Sequence, residues 1–217
     1  MKMHLHQFLI ASLVIMLYSC NQHSPTAQVN RNDTVSAFDT FMTQFPVREL
    51  PIVIRPCPGS KPFSDNSELK SIDSASGAPF KISGGYLAFG KIKTNGDYKA
   101  LVTLGAADCL GVVLCTFDKS GKPIDNKYIG IGQCGSGPGF SCTEVVKLGA
   151  DYTIYSADSI TEQETDSIYW PIAGGKIFTY VVYKKGKLCM DGHIELSPEK
   201  RDTLKIERDT SSIWVKP

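Results

Sequence analysis

The chain has 217 residues, 23 Lys+Arg against 22 Asp+Glu, and a formal net charge of +1. With no basic block along it, this balance argues against a nucleic-acid partner and against an electrostatic membrane patch. Its length past the first segment, about 198 residues, suffices for one domain that buries roughly 70% of the unfolded chain's surface.

The first twenty residues differ from the rest. Lys2 gives a short positive start, and an apolar run, Phe8–Leu17, follows. That run suits the core of a signal peptide and is shorter than the roughly 20 residues a spanning helix needs. It ends in Leu17-Tyr18-Ser19-Cys20, which resembles the lipobox of bacterial lipoproteins: an aliphatic residue, a small one, then cysteine. The resemblance implies cleavage after residue 19, lipidation of Cys20 and attachment by acyl chains. One chain holds weakly, at about 0.8 kcal/mol per buried CH₂, whereas two or three hold firmly. The sequence therefore divides into a signal peptide at 1–19, a lipidated tether at 20–33 and a β-rich domain at 34–217. The tether is polar and without periodicity.

Val35, Phe38, Phe41, Met42 and Phe45 recur at three- and four-residue spacing and predict an amphipathic helix. Asp33 or Thr34 is the expected cap, and Pro46 the stop. Leu50–Ile54 reads as extended, and a short helix is expected over Asn66–Ile72. From Gly85 onward the pattern is strands and turns. Tyr86–Thr94 leads into Asn95-Gly96, a strong hairpin signal. Tyr98–Leu104 follows. Leu110–Phe117 is apolar on both faces, as for a strand covered on both sides. Asp118–Gly121 predicts a turn and Ile124–Ile131 the return strand. Further strands are expected at Thr143–Leu148, Tyr152–Ala157, Ser167–Trp170 and Ile177–Tyr183. A turn at Lys185-Gly186 leads to Leu188–Leu196, and the tail Thr203–Val215 adds a last strand. The expected fold is mainly β: an antiparallel meander forming a sandwich or partly closed barrel, preceded by one N-terminal amphipathic helix.

Of seven cysteines, assigning Cys20 to lipid leaves Cys57, Cys109, Cys115, Cys134, Cys142 and Cys189. An even number in an oxidising compartment allows up to three disulfides among fifteen pairings. Cys134–Cys142 is the pair singled out, because these residues flank the short loop Gly135–Ser141 between two strand-like segments. Such a loop is a candidate recognition tip, since closure limits the entropy lost on binding.

Three features together resemble a group of secreted lipoproteins of Bacteroidota: the lipobox, Phe38-x-x-Phe41-x-x-x-Phe45-Pro46 leading to Leu50-Pro51, and Thr116–Asp125. The resemblance implies a fold and no assigned activity. Surface-displayed members of that phylum carry acidic residues soon after the lipidated cysteine. Here Asn21-Gln22-His23-Ser24 follow, so the expectation is an outer-membrane anchor facing the periplasm.

Catalytic equipment is sparse. His193 is the one histidine of the β-rich domain, and no serine sits on a strand-elbow-helix motif. No metal site or cofactor is expected. Gly135-Ser136-Gly137-Pro138-Gly139 lacks the helix and the Lys-Ser/Thr pair of a phosphate loop. Glu162, Glu164 and Asp166 alternate along a strand-like stretch and so would share a face. They could hold calcium, act as an acid/base pair, or simply line a protected or solvated edge, and no Asp-x-Asp-x-Asp-Gly loop strengthens the calcium reading. The leading expectation is a non-enzymatic envelope protein that binds a ligand or another protein. A carboxylate-dependent glycan hydrolase and a structural or assembly lipoprotein are the alternatives.

Overall fold

A computed structural model describes residues 36–57, 69–82, 86–105 and 109–209. The expected signal peptide, Cys20, the expected tether, the expected helix cap Asp33 or Thr34, residues 66–68 of the expected second helix and residues 210–215 of the expected last strand lie outside them.

The helix α1 spans Ala37–Thr43, shorter than the apolar spacing suggests. Its cap is Ser36, whose Oγ accepts from the Asp39 amide at 3.0 Å. Such a cap satisfies one of the otherwise orphaned N-terminal donors. Phe38, Phe41, Met42 and Phe45 are all buried. The rings of Phe38, Phe41, Phe80 and Phe117 meet at centroid distances of 4.8–5.0 Å. In place of the second helix, β3 (Lys70–Ser71) pairs antiparallel with Leu87 and Ala88. A single helical turn, α2 at Ser74–Gly77, follows instead, capped by Asp73. The local reason is the Asp73 carboxylate, which accepts from the amides of Ala75 and Ser76 at 2.8 and 2.9 Å.

Two sheets carry the architecture. In the first, β1 (Val47–Arg48), β4 (Leu87–Ile92), β5 (Tyr98–Gly105), β6 (Gly111–Asp118) and β7 (Pro123–Tyr128) lie in that order. The β1–β4 pair is parallel and the others antiparallel. In the second, the order is β11 (Ile194–Leu196), β10 (Lys176–Leu188), β9 (Thr153–Gln163), β8 (Phe140–Leu148) and β2 (Ile52–Ile54). β12 (Lys200–Arg208) pairs with β10 on the same side as β11. The sheets pack together and do not close into a barrel.

Strand alternation builds the core. Ala100, Val102, Leu104, Val112 and Leu114 from the first sheet meet Ile54, Val146, Leu148, Ile154, Leu188 and Ile194 from the second. The opposite face of the first sheet, with Ala88, Leu101, Cys115 and Phe117, packs on the α1 aromatic layer. This accounts for β6 being apolar on both sides. Each fully buried Leu or Phe contributes about 1.5–3 kcal/mol.

The Asn95-Gly96 and Asp118–Gly121 turns connect antiparallel neighbours as expected. Three strand expectations need correction. Ser167–Trp170 is a loop, not a strand. β7 ends at Tyr128, so Ile129–Ile131 leaves the sheet. β10 runs straight through Lys185-Gly186, and the turn falls at Met190–Gly192. Gly186 is required for another reason: a Cβ there would run into the Glu195 backbone of β11. Close strand approach, not turn formation, selects that glycine.

No helix of the described residues is long and apolar enough to cross a membrane.

Candidate recognition surface and the acid pair beneath it

Past Tyr128 the chain leaves the first sheet and lies across the inward face of the second as a strap, residues 129–134. Ile129, Gly130, Ile131 and Cys134 of the strap are buried, and buried amides outside a ladder need partners. The Ile129 amide donates to the Val112 carbonyl of β6 at 2.9 Å, and side chains serve the amides further along. The Ile131 amide donates to Glu144 Oε1 at 3.1 Å, and the Gln133 amide donates to Asp158 Oδ2 at 2.8 Å. The Ser156 hydroxyl donates to the Ile129 carbonyl. Gly130 lets the strap settle on the sheet, since a Cβ there would stand 2.5 Å from Glu144 Oε1.

Glu144 and Asp158 face each other across β8 and β9. They are 1% and 0% exposed. Glu144 Oε2 and Asp158 Oδ1 are buried with no hydrogen-bond partner among the described residues. Burial and, after it, the charge of Asp158 push the Glu144 carboxyl up to about 7. Burial raises Asp158 to about 6, against the lowering effect of the Gln133 and Cys134 amides. Lys184, on the same face in β10, is held below the ordinary lysine value by burial. Its Nζ donates to the Tyr128 carbonyl at 3.4 Å, lies 5.3 Å from the Tyr128 ring centroid and 3.9 Å from Glu199 Oε1. Burial, and then the Glu144 charge, raise the Tyr128 hydroxyl to about 12. Two acids titrating near neutrality could serve as an acid/base pair. Sealed under the strap, they instead hold it down.

The strap runs into a cystine-closed loop. Cys134 and Cys142 form a disulfide with Cα atoms 5.2 Å apart. Within the loop the Phe140 amide donates to the Gly137 carbonyl. Gly139 sits at φ +67°, and a Cβ on it would meet the Pro171 ring at 2.7 Å. The Gln163 amide donates to the Gly139 carbonyl at 2.8 Å. The cystine loop therefore leans on the loop 164–175. That second loop is internally fixed: Asp166 Oδ1 accepts from the Ile168 and Trp170 amides, both at 2.9 Å. The Gln163 side-chain amide donates to the Ile172 carbonyl at 3.2 Å and to Asp209 Oδ2 at 3.0 Å. On this frame stand Ile168, Tyr169 and Ile172, exposed by 55%, 80% and 40%.

The expected carboxylate face does not form. β9 ends at Gln163, so Glu164 and Asp166 lie beyond the pleat and lose its alternation. Glu162 lies 3.8 Å from Arg201, whose guanidinium stacks on Tyr180 at 3.5 Å. Glu164 Oε2 accepts from the Lys176 amide at 3.0 Å. His193 is a surface residue with Nδ1 3.9 Å from Asp125 Oδ2. Cys57 pairs with Cys109, while Cys115 and Cys189 are buried thiols, so among the described residues two disulfides form where up to three were expected. Donor atoms of Cys134, Cys142 and Asp158 come within 4.8 Å of one another. The two sulfurs are bonded to each other and cannot ligate a metal as thiolates.

The acid pair was missed in the sequence, although a signal for it exists. Glu144 shares parity with Val146 and Leu148, and Asp158 shares parity with Ile154 and Ile160. A charge on the apolar parity of a strand marks a buried polar group. A shallow groove of about 340 Å³ also lies between α1 and the first sheet, lined by Met42, Thr43, Lys91, Tyr98 and Lys99. Its lysines are engaged, Lys91 with the Met42 carbonyl and Lys99 with Asp39. Set against known proteins, the chain matches no family model, no curated protein and no solved structure.

Proposed function

We propose that this chain is a lipid-anchored protein of the bacterial envelope, held through Cys20 on the outer membrane and facing the periplasm. Its β body binds a protein partner through the paired loops 134–142 and 164–175. One observation carries the binding role: Ile168, Tyr169 and Ile172 are exposed on a loop that Asp166 fixes and that packs against the disulfide-closed loop. Apolar and aromatic side chains on a rigid loop contribute contact area while little conformational entropy is lost on binding. The lipobox-like Leu17-Tyr18-Ser19-Cys20 supports the anchor.

The anchor is tested by fatty-acid labelling and membrane fractionation of Cys20→Ser, which should lose both label and membrane association. The surface is tested by placing a photo-crosslinking amino acid at position 169 and, as control, at exposed position 153 in the producing cells. A discrete protein adduct from 169 alone supports the proposal. Equal adducts from both positions, or none from 169, reject it.

A further inference from the structure

β12 is the outermost strand on its side of the second sheet. Its inner edge pairs with β10, and among the described residues no strand covers its outer edge. All nine residues, Lys200–Arg208, are exposed. Leu204 and Ile206, near its centre, are exposed by 64% and 58%. An open edge of this length presents a row of unpaired amides and carbonyls, and charged side chains ordinarily discourage its pairing. Here the order of the charges does the opposite for one partner.

We propose that β12 is a self-complementary edge through which two copies of this chain join antiparallel, fusing their six-stranded sheets into one. Written from residue 199, the segment is Glu-Lys-Arg-Asp-Thr-Leu-Lys-Ile-Glu-Arg. Laid antiparallel on itself about the Thr203–Leu204 bond, it sets Glu199 against Arg208, Lys200 against Glu207 and Asp202 against Lys205. Arg201 then faces Ile206, and Thr203 faces Leu204. The two-fold axis repeats every pair, so no charged residue meets its own sign. A slip of one residue brings Lys200 against Arg208. The opposite slip brings Glu199 against Glu207 and Arg201 against Lys205.

Facing residues must also point to the same side of the joined sheet. In a regular strand this register would fail, because residues 203 and 204 point to opposite faces. The bulge removes the conflict. Thr179 pairs with Lys205 and Tyr180 with Thr203, which leaves Leu204 as the extra residue. Lys200, Asp202, Lys205 and Glu207 are thereby partnered with Tyr183, Val181, Thr179 and Ile177. These alternate positions of β10 share one face, so the four charges do too. Lys205 already approaches Glu207 at 2.5 Å on that face. A second copy would complete squares of alternating sign. The opposite face carries Arg201, Thr203 and Ile206, with Arg201 fixed on Tyr180.

The test is sedimentation velocity on the full chain in detergent, with two single charge reversals and their mixture. A dimer is expected by about 100 µM, as for a small interface, and it weakens as salt is raised. Lys200→Glu and Glu207→Lys each turn two opposite-charge pairs into like-charge pairs, and each should weaken the dimer about tenfold. Mixed in equal amounts they should form a heterodimer as tight as the wild type. In that pairing the glutamate introduced at position 200 of one chain meets the lysine introduced at position 207 of the other. The double variant should recover as a homodimer. Both altered positions are exposed, and sharing a micelle is indifferent to these charges. A monomeric wild type at that concentration overturns the proposal. So does a Lys200→Glu chain that dimerises as well as or better than the wild type, or a mixture that does not recover.

Discussion

Replacing Glu144 by Gln should stabilise the protein at alkaline pH, although it deletes a buried charge that accepts a backbone hydrogen bond. The Glu144 carboxyl titrates at about 7 in the fold, against an ordinary 4.5, chiefly through burial. Between those values the native state keeps a proton that the unfolded chain has lost. The stabilisation associated with that proton is complete below about pH 4.5 and is lost as pH rises through 7. A shift of this size corresponds to about 3 kcal/mol, at roughly 1.4 kcal/mol per pH unit. Asp158, raised to about 6, acts in the same direction, and Lys184 offsets part of the repulsion between the ionised pair. Glutamine mimics the protonated acid. It keeps an oxygen for the Ile131 amide and adds a donor opposite Asp158, its facing residue on β9. Urea unfolding of both proteins from pH 4.5 to 8 reads the effect of Glu144 together with its coupling to Asp158, since titrations that do not feel Glu144 cancel in the difference. The variant should match the wild type at the acid end and exceed it by about 2–3 kcal/mol at pH 8. A difference independent of pH, or a variant weaker by more than about 1 kcal/mol at pH 8, would refute the assignment of the pair.

Three further outcomes follow from the packing. Phe38→Ala empties the centre of the aromatic layer between α1 and the first sheet and should cost about 3–5 kcal/mol, read as a lowered urea midpoint. Asp166→Ala removes the acceptor for two loop amides and should cost about 1–2 kcal/mol, with faster hydrogen exchange confined to 164–175. A thiol titration of the denatured, unreduced protein carrying lipid on Cys20 should find two reactive thiols, from Cys115 and Cys189, and none before denaturation.

What the sequence disclosed follows from where short-range physics decides the outcome. The α1 stripe, the Asn95-Gly96 hairpin and the doubly apolar β6 are local patterns, and all three recur in the structure. The Cys134–Cys142 pair was legible because eight residues separate its members. Cys57–Cys109 spans 52 residues and depends on how distant segments meet. Gly186 misled because a glycine needed for close strand approach has the same letter as one needed for a turn. Acids are denser at Glu162, Glu164 and Asp166, which meet Arg201 or accept from strand and loop amides, than at Glu144 and Asp158. Their role arises only when the strap folds over them, which no local pattern records.

The two buried thiols bear on how the chain oxidises. Six cysteines allow fifteen complete pairings, whereas four allow three. Cys115 is sequestered beneath the aromatic layer, and its thiol is pushed up to about 11 by burial, so hardly any thiolate exists near neutral pH. Once the first sheet and α1 have collapsed, exchange chemistry no longer reaches it, and Cys189 is similarly enclosed. In the folded chain, packing thus keeps two of the six cysteines out of an oxidant's reach and leaves it three ways to pair the other four.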